Sequence, residues 1–376
     1  MKNKLNKHSL IILTGIIIII CILLIKKRGI VKRYNEAKLY TININFKNLD
    51  SFQNDVDRIR NLTPNPTKKY WGPRGKFKAT VEIEGEKKIK SKIRVLGGFR
   101  DHWKTEKVSL MIKSKKENAL GHLKHSLTNP VTRGFLGDWI MYKIEEKLNV
   151  LSLERNYYNV NINNERKGVF FYEEYPHKAF LKRNKIKNGS IFRVYFNADS
   201  SYNVDWSVIS SDTNKVHNAI QSILIGDSVV HLDYLKFAYY YAITDLGQGF
   251  HQLAPVNVHI VYNEEKNILY PIGNEWECSY FLGEPFQTCK NFITKPYYSK
   301  YSIHKFIYHN SKIRGHLYEA YEKIVKLNIE SLIKENIDFI NTIEGCLIYD
   351  LGANKKYNFQ YLFDNQEKIK NMCLAN

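Results

Sequence analysis

Residues 9–25 read SLIILTGIIIIICILLI, an apolar run without a charged side chain. As a helix rising about 1.5 Å per residue it covers roughly 26 Å, close to the thickness of a bilayer core. Lys2, Lys4 and Lys7 precede it, KKRG follows it, and no small-residue cleavage pattern lies between. The run therefore predicts a transmembrane signal anchor and a single-pass membrane protein. It separates a basic tail at 1–8 from a basic juxtamembrane segment at 26–38. Lysine and arginine on both flanks suit lipid headgroups. Counting positive charges would keep the large C-terminal part in the cytosol. The usual arrangement of a signal anchor points the other way, and the sequence leaves the side open.

Beyond the anchor the chain has the means to fold. Hydrophobic residues make up 44% of the 376 positions, which excludes a disordered class. Lys and Arg number 57 against 37 Asp and Glu, a formal charge of +20. The excess is spread along the whole sequence. It points to anionic partners in general, a phosphate-bearing ligand, an anionic membrane face or nucleic acid, and its dispersal disfavours the last. Five cysteines, at 21, 278, 289, 346 and 373, are too few and odd in number for a disulfide scaffold. Cys278 and Cys289 either pair or remain ordinary buried thiols.

Periodicity organises the remainder. Residues 61–75, rich in proline and glycine, predict an exposed loop. Ile83, Ile89, Ile93 and Val95 alternate with charged residues and predict two strands around a turn at Glu84-Gly85. Residues 108–112 continue the sheet. Leu136, Ile140, Ile144 and Leu148 then fall four apart, which predicts an amphipathic helix ending near Asn149. Strands are expected at 157–162 and 168–172 around Asn163-Asn164, and again at 190–196, 256–262 and 268–272. Helices are expected at 232–243 and 316–341. The class is α+β.

Four stretches carry a further signal: IRVLGGFRDHWKTEKVSLMIK at 93–113, NVNINNERKGVFFYEEY at 159–175, TDLGQGFHQLAPVNVHIVY at 244–262 and LYPIGNEWECSYFLG at 269–283. In this order they resemble the CotH kinase family, named after spore-coat protein H. The resemblance spans about half of the chain. It implies a two-lobed protein-kinase-like domain over 39–300 and a helical C-terminal region over 301–376. The implied activity is phosphoryl transfer to a protein with ATP and Mg, in envelope or spore-coat assembly.

Phosphoryl transfer needs a cation on the phosphates, oxygen ligands for magnesium and a carboxylate to orient the attacking hydroxyl. The resemblance places Lys107, read as a strand residue, on the nucleotide, with Arg100 and Lys104 as neighbouring cations. Glu174 is the acid expected to pair with a lysine. Asp245 takes the catalytic position, and Asn257, Glu275 and Glu277 the metal positions. Each has a plainer reading: a solvated strand lysine, a helix-terminal aspartate, a strand-start asparagine, surface glutamates. Two departures matter. The family's Trp-Asp-x-Asp becomes Asn-Glu-Trp-Glu, and its Asn-Ser-Ser run is missing. They leave room for a second reading, a catalytically inactive scaffold that binds partner proteins at the membrane. His122 and His125 lack the further ligands that a zinc site needs.

Overall fold

A computed structural model describes residues 39–65, 69–197, 201–225, 231–255, 257–274, 276, 303–351 and 357–375, together with Ile16. Its first unit is built from strands β1 (Thr41–Phe46), β2 (Phe77–Ile83), β3 (Ile89–Val95), β4 (Leu110–Ser114), β5 (Lys124–Thr128), β6 (Arg155–Ile162) and β7 (Glu165–Glu174). They close into a barrel in the order β1-β2-β3-β4-β5-β7-β6. Alternation supplies the interior: Ile42, Ile44, Ala79, Val81, Ile93, Val95, Leu110, Ile112, Leu127, Val160, Phe170 and Tyr172 share one core. Helix α1 (Leu49–Leu62) adds Phe52, Val56 and Ile59 to that core. Its N-terminus is capped by Asn48, whose side chain accepts from the Ser51 amide at 2.9 Å. The β6–β7 hairpin turns at Asn163 and Asn164, both at positive φ, as a tight hairpin of this twist requires.

Closure overturns the expected kinase-like two-lobed architecture. β1 is antiparallel to β2 and also parallel to β6, with Ile42 opposite Val160 and Ile44 opposite Ile162. The sheet consequently has no free edge and wraps around its own core instead of forming an open lobe. A second correction concerns Lys107, which lies in the bends before β4 and not on a strand.

The second sheet runs β10-β12-β11-β8-β9, from β8 (Gly189–Phe196), β9 (Tyr202–Val208), β10 (His231–Leu232), β11 (His259–Asn263) and β12 (Ile268–Ile272). Helix α2 (Gly137–Lys147) connects barrel strands β5 and β6 in sequence. The short α3 (Lys178–Arg183) precedes β8, and α4 (Thr213–Ile225) follows β9. Helix α5 (Tyr234–Gly247) is buried on every side from Phe237 onward, as its nearly uncharged sequence demands. Around it gather α6 (His304–Ile307), α7 (Ser311–Lys326), α8 (Ile329–Glu335), α9 (Ile337–Leu351) and α10 (Gln360–Ala375). One apolar cluster joins α2, β8, α5 and these C-terminal helices.

No helix among the described residues is long and apolar enough to cross a membrane. The stretch at 9–25 and its basic flanks lie outside the described residues apart from Ile16, as do Cys278 and Cys289. Among the described residues Cys346 and Cys373 are free thiols.

Candidate functional site

Lys107 is held by the fold itself. Its ammonium is buried, donates to the Val169 carbonyl at 2.9 Å and lies 3.5 Å from Asp350 near the end of α9. Asp350 is a hub. It also accepts from the Val169 amide at 2.5 Å and from Arg166 at 2.7 Å. Gly168, at φ +85°, makes this possible, because a Cβ there would collide with the Asp350 carboxylate. Burial pushes the Lys107 amine down while Asp350 pulls it back up. The arrangement fastens α9 to the β6–β7 hairpin. Arg100 is equally local: it sits on a 3-10 turn and donates to the Pro64 carbonyl. Glu174, at the end of β7, pairs with Arg183 at 2.8 Å and not with a lysine, and it accepts from the Glu154 amide.

Asp245 lies in the last turns of α5 and accepts from the Tyr321 hydroxyl of α7 at 2.6 Å. Its other oxygen has no hydrogen-bond partner among the described residues. Burial without a cation pushes its carboxyl up to about 8, so it stays protonated at neutral pH. The C-terminal end of α5 does approach two other expected stretches. The Trp276 backbone crowds Gly247 and Gly249, and Asn274 donates to the Asn257 carbonyl at 3.0 Å. Glu275 and Glu277, and the side chain of His251, lie outside the described residues.

Behind Trp276 runs a buried ionic network that no sequence motif announced. The Trp276 indole N–H donates to Glu145 of α2. Arg155 of β6 reaches Glu145 at 2.9 Å, Glu173 at 3.2 Å and the Gly273 carbonyl at 2.8 Å. Arg133 stands near Asp138 and Glu173. Burial works against the Arg155 charge, and Glu145, Glu173 and Asp138 together hold it. The network ties α2, the barrel and the end of β12 together, which is an architectural task.

The charge that has no such employment is on the outer wall of the barrel. Register places Lys78 of β2 opposite Lys92 of β3, Lys92 opposite Lys113 of β4, and Lys113 opposite Lys124 of β5. The inward neighbours of these residues are core, so all four point outward. Like charges facing each other across strands cost stability. Lys78, Lys92 and Lys113 are exposed and have no ion-pair partner among the described residues.

At its β5 end the row becomes recessed. The Lys124 ammonium lies 3.2 Å from the centre of the Tyr175 ring, and Tyr175 meets His259 of β11 edge to face at 5.9 Å. This is the junction of barrel and second sheet. Arg193 of β8 stands one position beyond the Phe192–Ile260 pair, beside His259, and is paired with Asp205 of β9. Burial pushes the Arg94 guanidinium of β3 down, and Arg94 lies within electrostatic reach of both Tyr175 and Lys124. Burial, then Arg94, Arg193 and Lys113, push the Lys124 amine down to about 7, and Asp205 pulls it part of the way back. Sequence reading could register the lysines of KKIKSKIRV but not their alignment, because alignment is a property of strand register.

Two of the residues that the resemblance assigns to phosphoryl transfer are engaged elsewhere in the fold. Lys107 is already satisfied by Asp350 and Val169, and Asp245 is sealed and neutral beneath Tyr321. Among the described residues no three His, Cys, Asp or Glu side chains are grouped to hold a metal ion. No family model matches the chain, and no curated protein matches it.

Proposed function

We propose that this chain is a membrane-tethered binding protein of surface or envelope assembly, and that it engages an acidic partner protein through the outer wall of its barrel. The aligned lysines carry this reading. Their mutual repulsion is a standing cost, and an acidic partner relieves it. The uncharged run at 9–25 between basic flanks supports a single-pass tether. The CotH resemblance supports a role in envelope or spore-coat assembly. Phosphotransfer is the weaker reading, because Lys107 and Asp245 are engaged in holding helices in place.

The test uses the full chain in detergent. Polyglutamate, as an acidic-chain probe, binds at low salt and is released as salt rises. The triple variant Lys78→Glu, Lys92→Glu, Lys113→Glu abolishes that binding. Incubation with labelled ATP and Mg gives no phosphorylated product. Polyglutamate binding indifferent to charge reversal, or transfer of the γ-phosphoryl group, overturns the reading.

A further inference from the structure

The recessed end of the lysine row differs from the exposed part in kind. Cations from three further strands act on Lys124 of β5 there: Lys113 of β4 stands opposite it in register, and Arg94 of β3 and Arg193 of β8 lie within electrostatic reach. They come from two sheets, and the Tyr175–His259 contact locks those sheets together at this point. Tyr175 is itself fixed, since its amide donates to the Lys124 carbonyl at 3.0 Å. The groups facing Lys124 are almost all cationic. Arg94, Lys113 and Arg193 raise the local potential, His177 and Lys178 lie nearby with Glu117 as an opposing acid, and Asp205 is already paired with Arg193. No carboxylate among the described residues forms an ion pair with the Lys124 ammonium. The Arg94 guanidinium donates to the Val95 carbonyl at 3.0 Å, which leaves further N–H groups of its fork for a ligand.

We propose that Arg94, Lys113, Lys124 and Arg193 form a phosphate-binding site at the junction of the barrel and the second sheet. A tetrahedral, multiply charged anion matches several converging donors better than a single carboxylate does. Arginine forks take two of its oxygens, and the lysines act as point charges on the others. The Tyr175 face holds the Lys124 ammonium itself, so it is placed before the ligand arrives. The inference rests on the reading of the barrel wall as an anion-binding face and names the chemistry of one part of it. The phosphate belongs either to a soluble phosphate compound or to a lipid headgroup.

The experiment is calorimetric titration of the full chain in detergent with pyrophosphate, with glycerol 3-phosphate and with dioctanoyl phosphatidic acid. Pyrophosphate is expected to bind, and both Lys124→Met and Arg193→Gln should weaken it by roughly tenfold or more. Lys78→Glu, outside the recess, should change it by less than about threefold. Unchanged melting of Lys124→Met shows that the loss is not unfolding, and Arg193→Lys, which keeps the charge, should recover part of the affinity. Equal affinity for glycerol 3-phosphate and the short-chain lipid assigns a soluble phosphate; clearly tighter lipid binding assigns a headgroup. Absence of pyrophosphate binding, or binding that Lys124→Met leaves unchanged, overturns the site. If polyglutamate is still captured in that case, the acidic-partner reading stands without it.

Discussion

Two lysines withdrawn from water show how differently one residue type is used in this molecule. Lys107 and Lys124 both have amines pushed down by burial. Around Lys107 the fold supplies a carboxylate, a carbonyl and a glycine that lets the carboxylate approach. Around Lys124 it supplies Arg94, Lys113 and Arg193. A compensated charge holds the molecule together. An uncompensated one is a standing cost, and it becomes favourable only when something anionic arrives from outside. Asp245 is the acidic counterpart of the second case, buried with a tyrosine hydroxyl in place of a cation.

The contrast breaks most forcefully at Asp350. Asp350→Ala should leave Lys107 without its carboxylate, strand the Val169 amide and release Arg166. The expected loss is about 3–5 kcal/mol in denaturant unfolding. A loss below about 1 kcal/mol would mean that Lys107 is no better compensated than Lys124. Gly168→Ala attacks the same joint through the backbone, combining positive φ with a clash against Asp350. It should cost about 1–3 kcal/mol and be strongly non-additive with Asp350→Ala in a double-mutant cycle.

Asp245→Asn sharpens the acidic side. The wild-type carboxyl titrates in the folded state at about 8, above its unfolded value, so the folded state holds an extra proton between about pH 4 and pH 8. Its contribution to stability is therefore complete below about pH 4 and is lost progressively as pH rises from there to about 8. The asparagine variant keeps an acceptor for Tyr321 and removes that decline. It should gain about 1.4 kcal/mol on wild type for each pH unit between about pH 5 and pH 7, measured by thermal unfolding across pH. Curves that stay parallel would show that Asp245 ionises normally.

Lys124→Met should have the smallest effect on stability and the clearest sign. The folded amine at about 7 lies below its unfolded value, so the penalty is complete below pH 7 and is relieved as pH rises toward 10. The variant should be as stable as wild type or more so by less than about 1 kcal/mol at pH 7, since the side chain is still partly solvated. The advantage should fade by pH 10. Destabilisation at pH 7 would place Lys124 beside Lys107 as a structural residue.

Much of the local structure was legible in the sequence, for reasons that are themselves local. The period-two apolar residues from Ile83 to Val95 form the β2–β3 hairpin, with Gly85 at positive φ in its turn. The four-residue spacing from Leu136 to Ile144 forms α2, and Asn163-Asn164 turns β6 into β7. These depend on neighbours in the chain. Barrel closure does not. It needs Thr41–Phe46 to find Arg155–Ile162 as a parallel partner, and nothing within either segment encodes that meeting. The pairing of Lys107 with Asp350 spans more than half of the chain and consumes a lysine that looked available. The alignment of Lys78, Lys92, Lys113 and Lys124 is likewise fixed only when four strands settle their register. Sequence alone determined which residues are apolar, where the chain turns and how much positive charge it carries. The tertiary structure decided which of those charges are neutralised, because an ion pair depends on distance in space and not on separation along the chain.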